Sequence, residues 1–457
     1  MEEVLSRNSF FGTARIGKIL LKIAPPVMLA QLIQSLYNVV DSFFMGKYSS
    51  NALTALTIIY PLQLIIIALA VGTGVGVNTY MARKYAQKKP EDADGAAGTG
   101  MVLAVLMWAV FALVSVLIMH PYIQLFTKIE KTTEAALIYG NIVCIGSIGV
   151  FLEGNWTKVH QSRGNMRLPM LAQVVGAVTN MVLDPLLIFG IRPFPKLGVA
   201  GAAWATVAGQ IVAAVMTGIK GYRKPPSFRK MKYYAGRIYF YGYSSVVMQA
   251  MYTVYIVVLN AILAGFSDAA VTVLGLYYKM QSFFFIPLIG LETCIVPVIS
   301  YNYARHSYKR CRETMRDAML ISAGFMILGI ICFVCFPRGL MQIFSDSTEI
   351  MEIGSVAFPI IGSSFISAVF SLMLPVFFQA IGDGKSSLFL SLMRQIFCLI
   401  PLFWGFSLIG LNYTWLAFPL SETLTGAMGL VLYGRTLKNW KRREEVNSME
   451  FENEMWS

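Results

Sequence analysis

Apolar runs of about 20 residues recur from one end of the chain to the other, separated by short charged or turn-rich breaks. A run of about that length is what an α-helix needs to cross the hydrocarbon core of a bilayer. The pattern therefore predicts an all-α integral membrane protein with twelve transmembrane helices. The predicted spans lie near residues 23–46, 53–80, 96–119, 135–157, 170–190, 198–219, 240–264, 270–300, 318–336, 351–377, 388–409 and 413–434.

The second half of the chain repeats landmarks of the first at one constant offset. Residues 50–56 align with residues 268–274, and the same offset aligns Tyr85 with Tyr303. Each half holds six predicted spans, so the two copies have the same orientation, as in the parallel repeats of secondary transporters. We expect two six-helix bundles. The predicted domains are an amino-terminal lobe at 1–219, a cytoplasmic linker at 220–239, a carboxy-terminal lobe at 240–434 and a cytoplasmic tail at 435–457.

The distribution of charge predicts the orientation of the chain. Of the 457 residues, 56% are apolar and 13% are charged, and the net charge is +13. Lysine and arginine concentrate in both tails and in the loops after the even-numbered spans, which hold 29 of them against 6 in the opposite loops. This bias predicts a multi-pass protein of the cell (inner) membrane with both termini cytoplasmic. Contact of these basic loops with anionic membrane lipids also accounts for the net positive charge, so no nucleic-acid partner is expected.

The stretch from Pro25 to Gly46, within the first predicted span, carries polar side chains inside an otherwise apolar run. Gln34, Asn38 and Asp41 share one helical stripe, and Tyr37 lies beside it. A carboxylate at membrane depth costs at least a few kcal/mol unless it is paired, hydrated or protonated. The stripe is therefore expected to face a wet cavity and to serve ion handling.

The fifth and sixth predicted spans carry a second set of polar residues. Asn180 and Asp184 lie one turn apart on one face, and Pro185, which follows, tends to kink the helix and free carbonyl groups. Thr206 and Gln210 form another pair at helical spacing. Such all-oxygen ligands suit sodium, whereas two crowded carboxylates suit a proton relay, and the residues do not choose between these.

Asp41 and Asp184 have no acidic counterparts in the second half, where the offset places Leu259 and Leu402. We take this asymmetry to indicate a coupling site in the amino-terminal lobe, with Asp41, Asn180 and Asp184 as candidate ligands of a sodium ion. The structural alternative is that Asp184 caps a helix break near the membrane surface and that Asp41 bonds to a neighbouring helix.

Other polar residues within the spans have separate interpretations. Glu292 is the leading acid of the second half and a candidate for substrate or proton handling, and Glu153 is a weaker candidate near a span end. Arg394 and Glu422 are expected to pair across helices as a structural ion pair. Methionine and aromatic stripes are mostly packing residues, although they would also suit a cavity for apolar cations.

Several motifs together resemble the multidrug and toxic compound extrusion (MATE) transporters, most closely exporters of the DinF and MepA type. They are Pro25-Pro26, YNVVDSFFMG, ALTALTIIYPL, QSRGNMRLPM, TNMVLDPLLIFG with LGVAGAAWAT following it, and VPVISYNYA. The resemblance implies two six-helix lobes around a V-shaped cavity and a cation site that corresponds here to Asp41, Asn180, Asp184 and Thr206. It also implicates Pro26 as a hinge. The acids that the NorM branch carries in spans 7 and 10 are not matched.

The sequence therefore predicts a secondary active antiporter that exports lipophilic, often cationic drugs in exchange for sodium or protons. It offers neither a phosphate-binding loop nor a nucleophile beside a histidine, so we expect a transporter and not an enzyme. We expect no cofactor other than the coupling ion, and a monomer. The alternative is a flippase for a lipid-linked saccharide, which the scarcity of Lys and Arg within the spans disfavours. A binding or sensor protein is a third class, disfavoured because it would not need the buried acids.

Overall fold

The structure is a computed structural model that describes residues 10–124, 126–127, 129–342 and 347–455. Within these ranges the side chains of residues 38, 39, 50, 268 and 443–455 are outside the description. Helices make up the regular structure, and no strand occurs in the described ranges. The prediction of an all-α membrane protein is confirmed, since the chain folds as long apolar helices.

Besides a short helical stretch at residues 10–13, the described chain contains eighteen α-helices and one π-helical segment. They are α1 (Ile16–Tyr48), α2 (Ser50–Ala86), α3 (Pro90–Gln124), α4 (Glu130–Gly146), α5 (Ile148–Ser162), α6 (Arg167–Phe189), α7 (Val199–Gly218), α8 (Phe228–Ala264), α9 (Asp268–Phe284), α10 (Ile286–Ala304), α11 (Tyr308–Cys335), α12 (Pro337–Gln342), α13 (Thr348–Gly362), α14 (Phe365–Ala380), α15 (Gly384–Leu392), the π-helical segment Met393–Leu399, α16 (Ile400–Ser407), α17 (Leu411–Thr414) and α18 (Ala417–Met455).

Eleven helical stretches of the described chain are long and apolar enough to cross a membrane. Two further helices, α13 and α14, pass the same test together and are bent by 55° at the residues between them, which brings the number to twelve. This agrees with the twelve predicted spans. Ser364 lies at this bend, where its hydroxyl donates a hydrogen bond to the backbone carbonyl of Ile361 at 2.6 Å.

Two elements differ from the limits that hydropathy predicts. Helix α8 begins at Phe228, so most of the segment predicted as a linker at 220–239 is helical. The predicted span at 270–300 is divided at Phe285 into α9 and α10, and Pro287 stands in the first turn of the second helix. Hydropathy misses both features because it records apolar content and not the continuity of the backbone.

Contacts within the described chain define two compact units. Unit 1 comprises the residues up to Thr253 together with Phe285–Arg305, and unit 2 comprises Val254–Phe284 and the residues from His306 onward. Helix α10 thus belongs to unit 1, where it packs against α1 and α2. The lobe limits read from the sequence stay a prediction.

Each unit has its own buried core. In unit 1 a cluster that includes Ile59, Met119 and Tyr139 fills the space between α2, α3 and α4. In unit 2 the ring of Phe333 lies 5.1 Å from that of Phe358 and makes further aromatic contacts with rings from α9 and α14. These cores hold the helices that carry the polar residues described next.

Candidate cation site

The site begins with a close approach of α6 and α7. A Cβ atom placed on Gly176 would lie 2.7 Å from the backbone carbonyl oxygen of Gly209, so the two helices touch backbone to backbone at this level. Only glycine permits such an approach, because any side chain would force the helices apart. The contact sets Asn180 of α6 opposite Thr206 of α7.

Asn180 connects the polar side chains of these two helices. Its Nδ2 lies 3.4 Å from Oδ1 of Asp184 and 3.4 Å from Oγ1 of Thr206, and it donates to both. All three residues are buried, Asp184 completely. Since α6 continues to Phe189, Asp184 lies inside a helix and does not cap a break.

Asp41 of α1 is buried and interacts electrostatically with Asp184. Within the described part of the chain, Oδ1 of Asp41, Oδ2 of Asp184 and Oδ1 of Asn180 are buried without a hydrogen-bond donor. Two carboxylates and an amide oxygen thus retain unused acceptor capacity in one region of unit 1. A cation or a proton would satisfy these oxygens, since acceptors buried without a partner are costly.

The structure adds residues that the sequence did not single out. The Tyr139 hydroxyl of α4, which interacts with Thr206 and with Asp41, accepts a 3.5 Å hydrogen bond from Nε2 of Gln63 in α2. Neither Tyr139 nor Gln63 is charged, so neither stood out in the sequence as an acid within an apolar run does. The packing of α2 and α4 brings them to the site.

Three of the other predicted cavity residues are half-buried. Gln34 hydrogen-bonds to Tyr37, and Tyr37 lies close enough to Asp41 and Asp184 to interact with both. The buried Oε1 of Gln210 has no hydrogen-bond partner within the described ranges. The side chain of Asn38 lies outside the described residues.

Pro26 lies inside α1, which runs without a break from Ile16 to Tyr48 and also contains Pro25. Because proline has no N–H, the carbonyl of Lys22 lacks its usual partner four residues later. This missing hydrogen bond makes the first third of α1 a suitable place for bending. The predicted role of Pro26 as a hinge stays a prediction.

The sequence matches the MatE family twice, over residues 26–186 and over residues 244–404. The chain belongs to the MatE family. The starts of the two matches, at Pro26 and Ser244, are separated by the same offset as the internal repeat found in the sequence. MatE-family proteins are membrane transporters, so this one is a multi-pass membrane transporter and its resemblance to the MATE exporters is confirmed.

Relatives of this MatE-family protein are similar over nearly their whole length. An FAD transporter of Shewanella oneidensis is 24% identical over 424 residues, covering 91% of this chain and 93% of that protein. The multidrug export protein MepA of Staphylococcus saprophyticus is 21% identical over 437 residues, covering 93% and 94%. A solved MOP superfamily transporter from Pyrococcus furiosus, 20% identical, superposes with a TM-score of 0.87 over 95% of this chain and 98% of that one. The last comparison shows the shared fold.

Unit 2 of the MatE-family protein has a polar cluster of a different kind. Nη2 of Arg394 lies 2.7 Å from Oε1 of Glu422, and Nε lies 3.0 Å from both carboxylate oxygens. The predicted pairing of these two residues is therefore confirmed. Arg394 lies in the π-helical segment, a form of backbone that is frequent at functional sites.

Two further observations concern the remaining candidates for ion binding. Glu292 is half-buried in α10 of unit 1, and its role in transport stays a prediction. Over the ranges that the structure describes, no group of three or more His, Cys, Asp or Glu side chains could hold a metal ion. The donor set at Asp41, Asp184 and Asn180 instead combines two carboxylates with an amide, which suits a hard monovalent cation or a proton.

Proposed function

We propose that this MatE-family protein is a cation-coupled antiporter that exports lipophilic, often cationic compounds in exchange for sodium or protons. Asp41, Asn180, Asp184 and Thr206 form the coupling site. Gln34, Tyr37, Asn38, Gln210 and Glu292 contribute polar groups for ion or substrate handling, and Pro26 is the hinge of α1.

One observation supports this proposal above the others. Three buried oxygens of Asp41, Asn180 and Asp184 have no donor among the described residues, although two of them belong to carboxylates. In the membrane interior such groups are kept only where they have a role, because each raises the free energy of the folded state. Two acids with no basic partner attract a cation, whereas Arg394 and Glu422 neutralise each other.

Coupling follows from a difference in affinity between two conformations. When Asp41 and Asp184 are both ionised, they repel each other across the contact between α1 and α6. A bound cation or proton removes this repulsion and favours the conformation in which the two carboxylates lie close. Substrate must favour the other conformation, because a ligand that binds both equally shifts nothing.

The test is efflux of a fluorescent lipophilic cation from proteoliposomes, with sodium and proton gradients imposed separately. We expect efflux under at least one gradient in the wild type and none above empty liposomes in Asp41→Asn and Asp184→Asn. The matched control is Asp317→Asn, since Asp317 lies on α11 in unit 2 and pairs with exposed Arg316. Normal gradient-driven efflux by both site variants would refute the assignment.

A second candidate substrate comes from the relative in Shewanella oneidensis, which is described as an FAD transporter. FAD carries a negatively charged pyrophosphate, so it differs in charge from a lipophilic cation. The same proteoliposomes loaded with FAD separate the two possibilities. Efflux of FAD without efflux of any of several lipophilic cations would replace the drug substrate and keep the transport function.

A further inference from the structure

A groove of about 460 Å³ opens on unit 1 between α2, α3 and α8. Its lining includes Leu69, Leu103, Met107 and Val110, and the other lining residues are also apolar, apart from Tyr239. The Tyr239 hydroxyl donates a hydrogen bond to Sδ of Met107, another lining residue, at 3.3 Å. The volume falls within the range of about 300–1,000 Å³ that is usual for ligand pockets.

The face of α8 that carries Tyr239 leads from the groove to a positive charge. Lys232 lies seven residues before Tyr239, hence on the same face and about 10 Å closer to the start of the helix. Gly236 lies between them, and a Cβ atom placed there would meet no atom within 4 Å. The surface of α8 between Tyr239 and Lys232 is therefore unobstructed at Gly236.

The surrounding segment is basic and aromatic. Residues 220–240 contain seven Lys or Arg and no Asp or Glu. Arg229 and Lys232 are exposed, and within the described ranges neither forms an ion pair. The side chains of Phe228 and Phe240 are 82% and 53% exposed, as expected where a membrane-spanning helix emerges at the interface and its aromatic side chains contact lipid.

The opposite face of this part of α8 is fixed to unit 1. Ile238 is fully buried, and the Tyr234 hydroxyl donates a hydrogen bond to Oδ1 of Asp92 at 2.9 Å. Lys84 lies 3.3 Å from the other oxygen of the same carboxylate. Asp92 is thus already engaged on the inner side, and the outward basic residues remain available for an external anion.

We propose that this groove is a binding site for an anionic phospholipid, with an acyl chain against Val110 and Met107 and the phosphate at Lys232 and Arg229. An ordinary apolar surface would accept any lipid, and a basic loop alone would attract any anion. The combination on one helix face selects a molecule that carries both an acyl chain and a negative headgroup. The site is separate from the buried oxygens of the candidate cation site.

Native mass spectrometry of the delipidated full-length protein tests the proposal. Phosphatidylglycerol and phosphatidylcholine with identical acyl chains are added in turn, and each dissociation constant is measured. We expect tighter binding of phosphatidylglycerol by the wild type and about a fivefold loss in Lys232→Ala, the size expected for one basic residue at a membrane surface. Val110→Trp, which fills the groove, should weaken binding of both lipids.

Arg237→Ala is the matched control. It removes the same charge from the same helix, but from the side of the helix axis opposite Tyr239, so the affinity for phosphatidylglycerol should stay close to that of the wild type. Equal losses in Lys232→Ala and Arg237→Ala would show unspecific attraction and overturn the proposal. So would equal affinity of the wild type for the two lipids, or unchanged lipid binding in Val110→Trp.

Discussion

The buried ion pair of unit 2 shows how a charged residue is tolerated at membrane depth. Glu422 accepts three hydrogen-bond contacts from Arg394 and another from the hydroxyl of Ser371. The Ser421 hydroxyl donates to the backbone carbonyl of Arg394 at 2.8 Å, which holds the π-helical segment against α18. The two charges balance each other, and both carboxylate oxygens of Glu422 have hydrogen-bond donors, so neither charge is left buried without a partner.

Removing one member of this pair should be far more damaging than removing both. We expect Glu422→Gln to lower the free energy of unfolding by about 3–5 kcal/mol, because the Arg394 charge is left buried without a partner. The double variant Arg394→Met with Glu422→Leu should recover most of that loss. Unfolding titrations of the wild type, Arg394→Met, Glu422→Leu and this double variant in mixed micelles measure the coupling, and strictly additive losses would show that the pair contributes none.

At the level of single residues, the sequence identified what was chemically unusual. Asp41 and Asp184 stood out because each is an acid within an apolar run, and the structure places both in the buried region around Asn180. Tyr139 and Gln63 could not be identified in this way. Their contribution depends on how α2 packs against α4 and α4 against α7, and that is set by packing and not by residue type.

At the level of helices, the contact between α6 and α7 sets the geometry of the candidate site. Gly209 also lies against Asn180, where an added Cβ atom would come within 3.2 Å of the Asn180 Cβ. The distance between Asn180 and Thr206 therefore depends on two glycines that contribute no polar atom. Small residues at helix contacts are the usual means by which membrane helices approach closely.

Gly176→Ala is expected to separate α6 from α7 and to lower the stability of the protein by about 1–3 kcal/mol, the range for overpacked interiors. Transport should fall as well, since the bond from Asn180 to Thr206 would lengthen. Thermal unfolding in detergent and efflux assays provide the two measurements. Gly324→Ala is the control, because a Cβ atom at this position of α11 meets nothing within 4 Å.

A wild-type melting temperature and transport rate in Gly176→Ala would contradict the role of this helix contact.

The sequence predicted both helices correctly but not their contact, because a glycine in an apolar run has several possible explanations. The start of α8 was missed for a related reason. Its first turns hold Arg229, Lys230 and Lys232, which end a hydropathy window but do not end a helix.

At the level of the whole chain, duplication has produced two halves with different charges. The repeat offset relates Asp41 to Leu259, which is fully buried in unit 2, and relates Gly176 to Arg394. The first half thus keeps two acids without a basic partner, and the second half keeps one neutral pair. Only the first cluster would attract a cation, so ion coupling is expected to reside in unit 1 alone.

The orientation of the whole chain in the membrane can be tested through two exposed lysines. Lys131, near the start of α4, follows the third predicted span, and Lys438 lies in the tail after the twelfth. With twelve spans and a strong excess of basic residues on one side, Lys438 should be cytoplasmic and Lys131 should lie on the outer side. A membrane-impermeant thiol reagent should then label Lys131→Cys in intact cells and Lys438→Cys only after permeabilisation. The wild-type protein, which contains six cysteines, is treated with the same reagent, and its labelling gives the background to be subtracted. The reverse labelling pattern would show the opposite orientation, and labelling of both variants in intact cells would show an even number of spans between them.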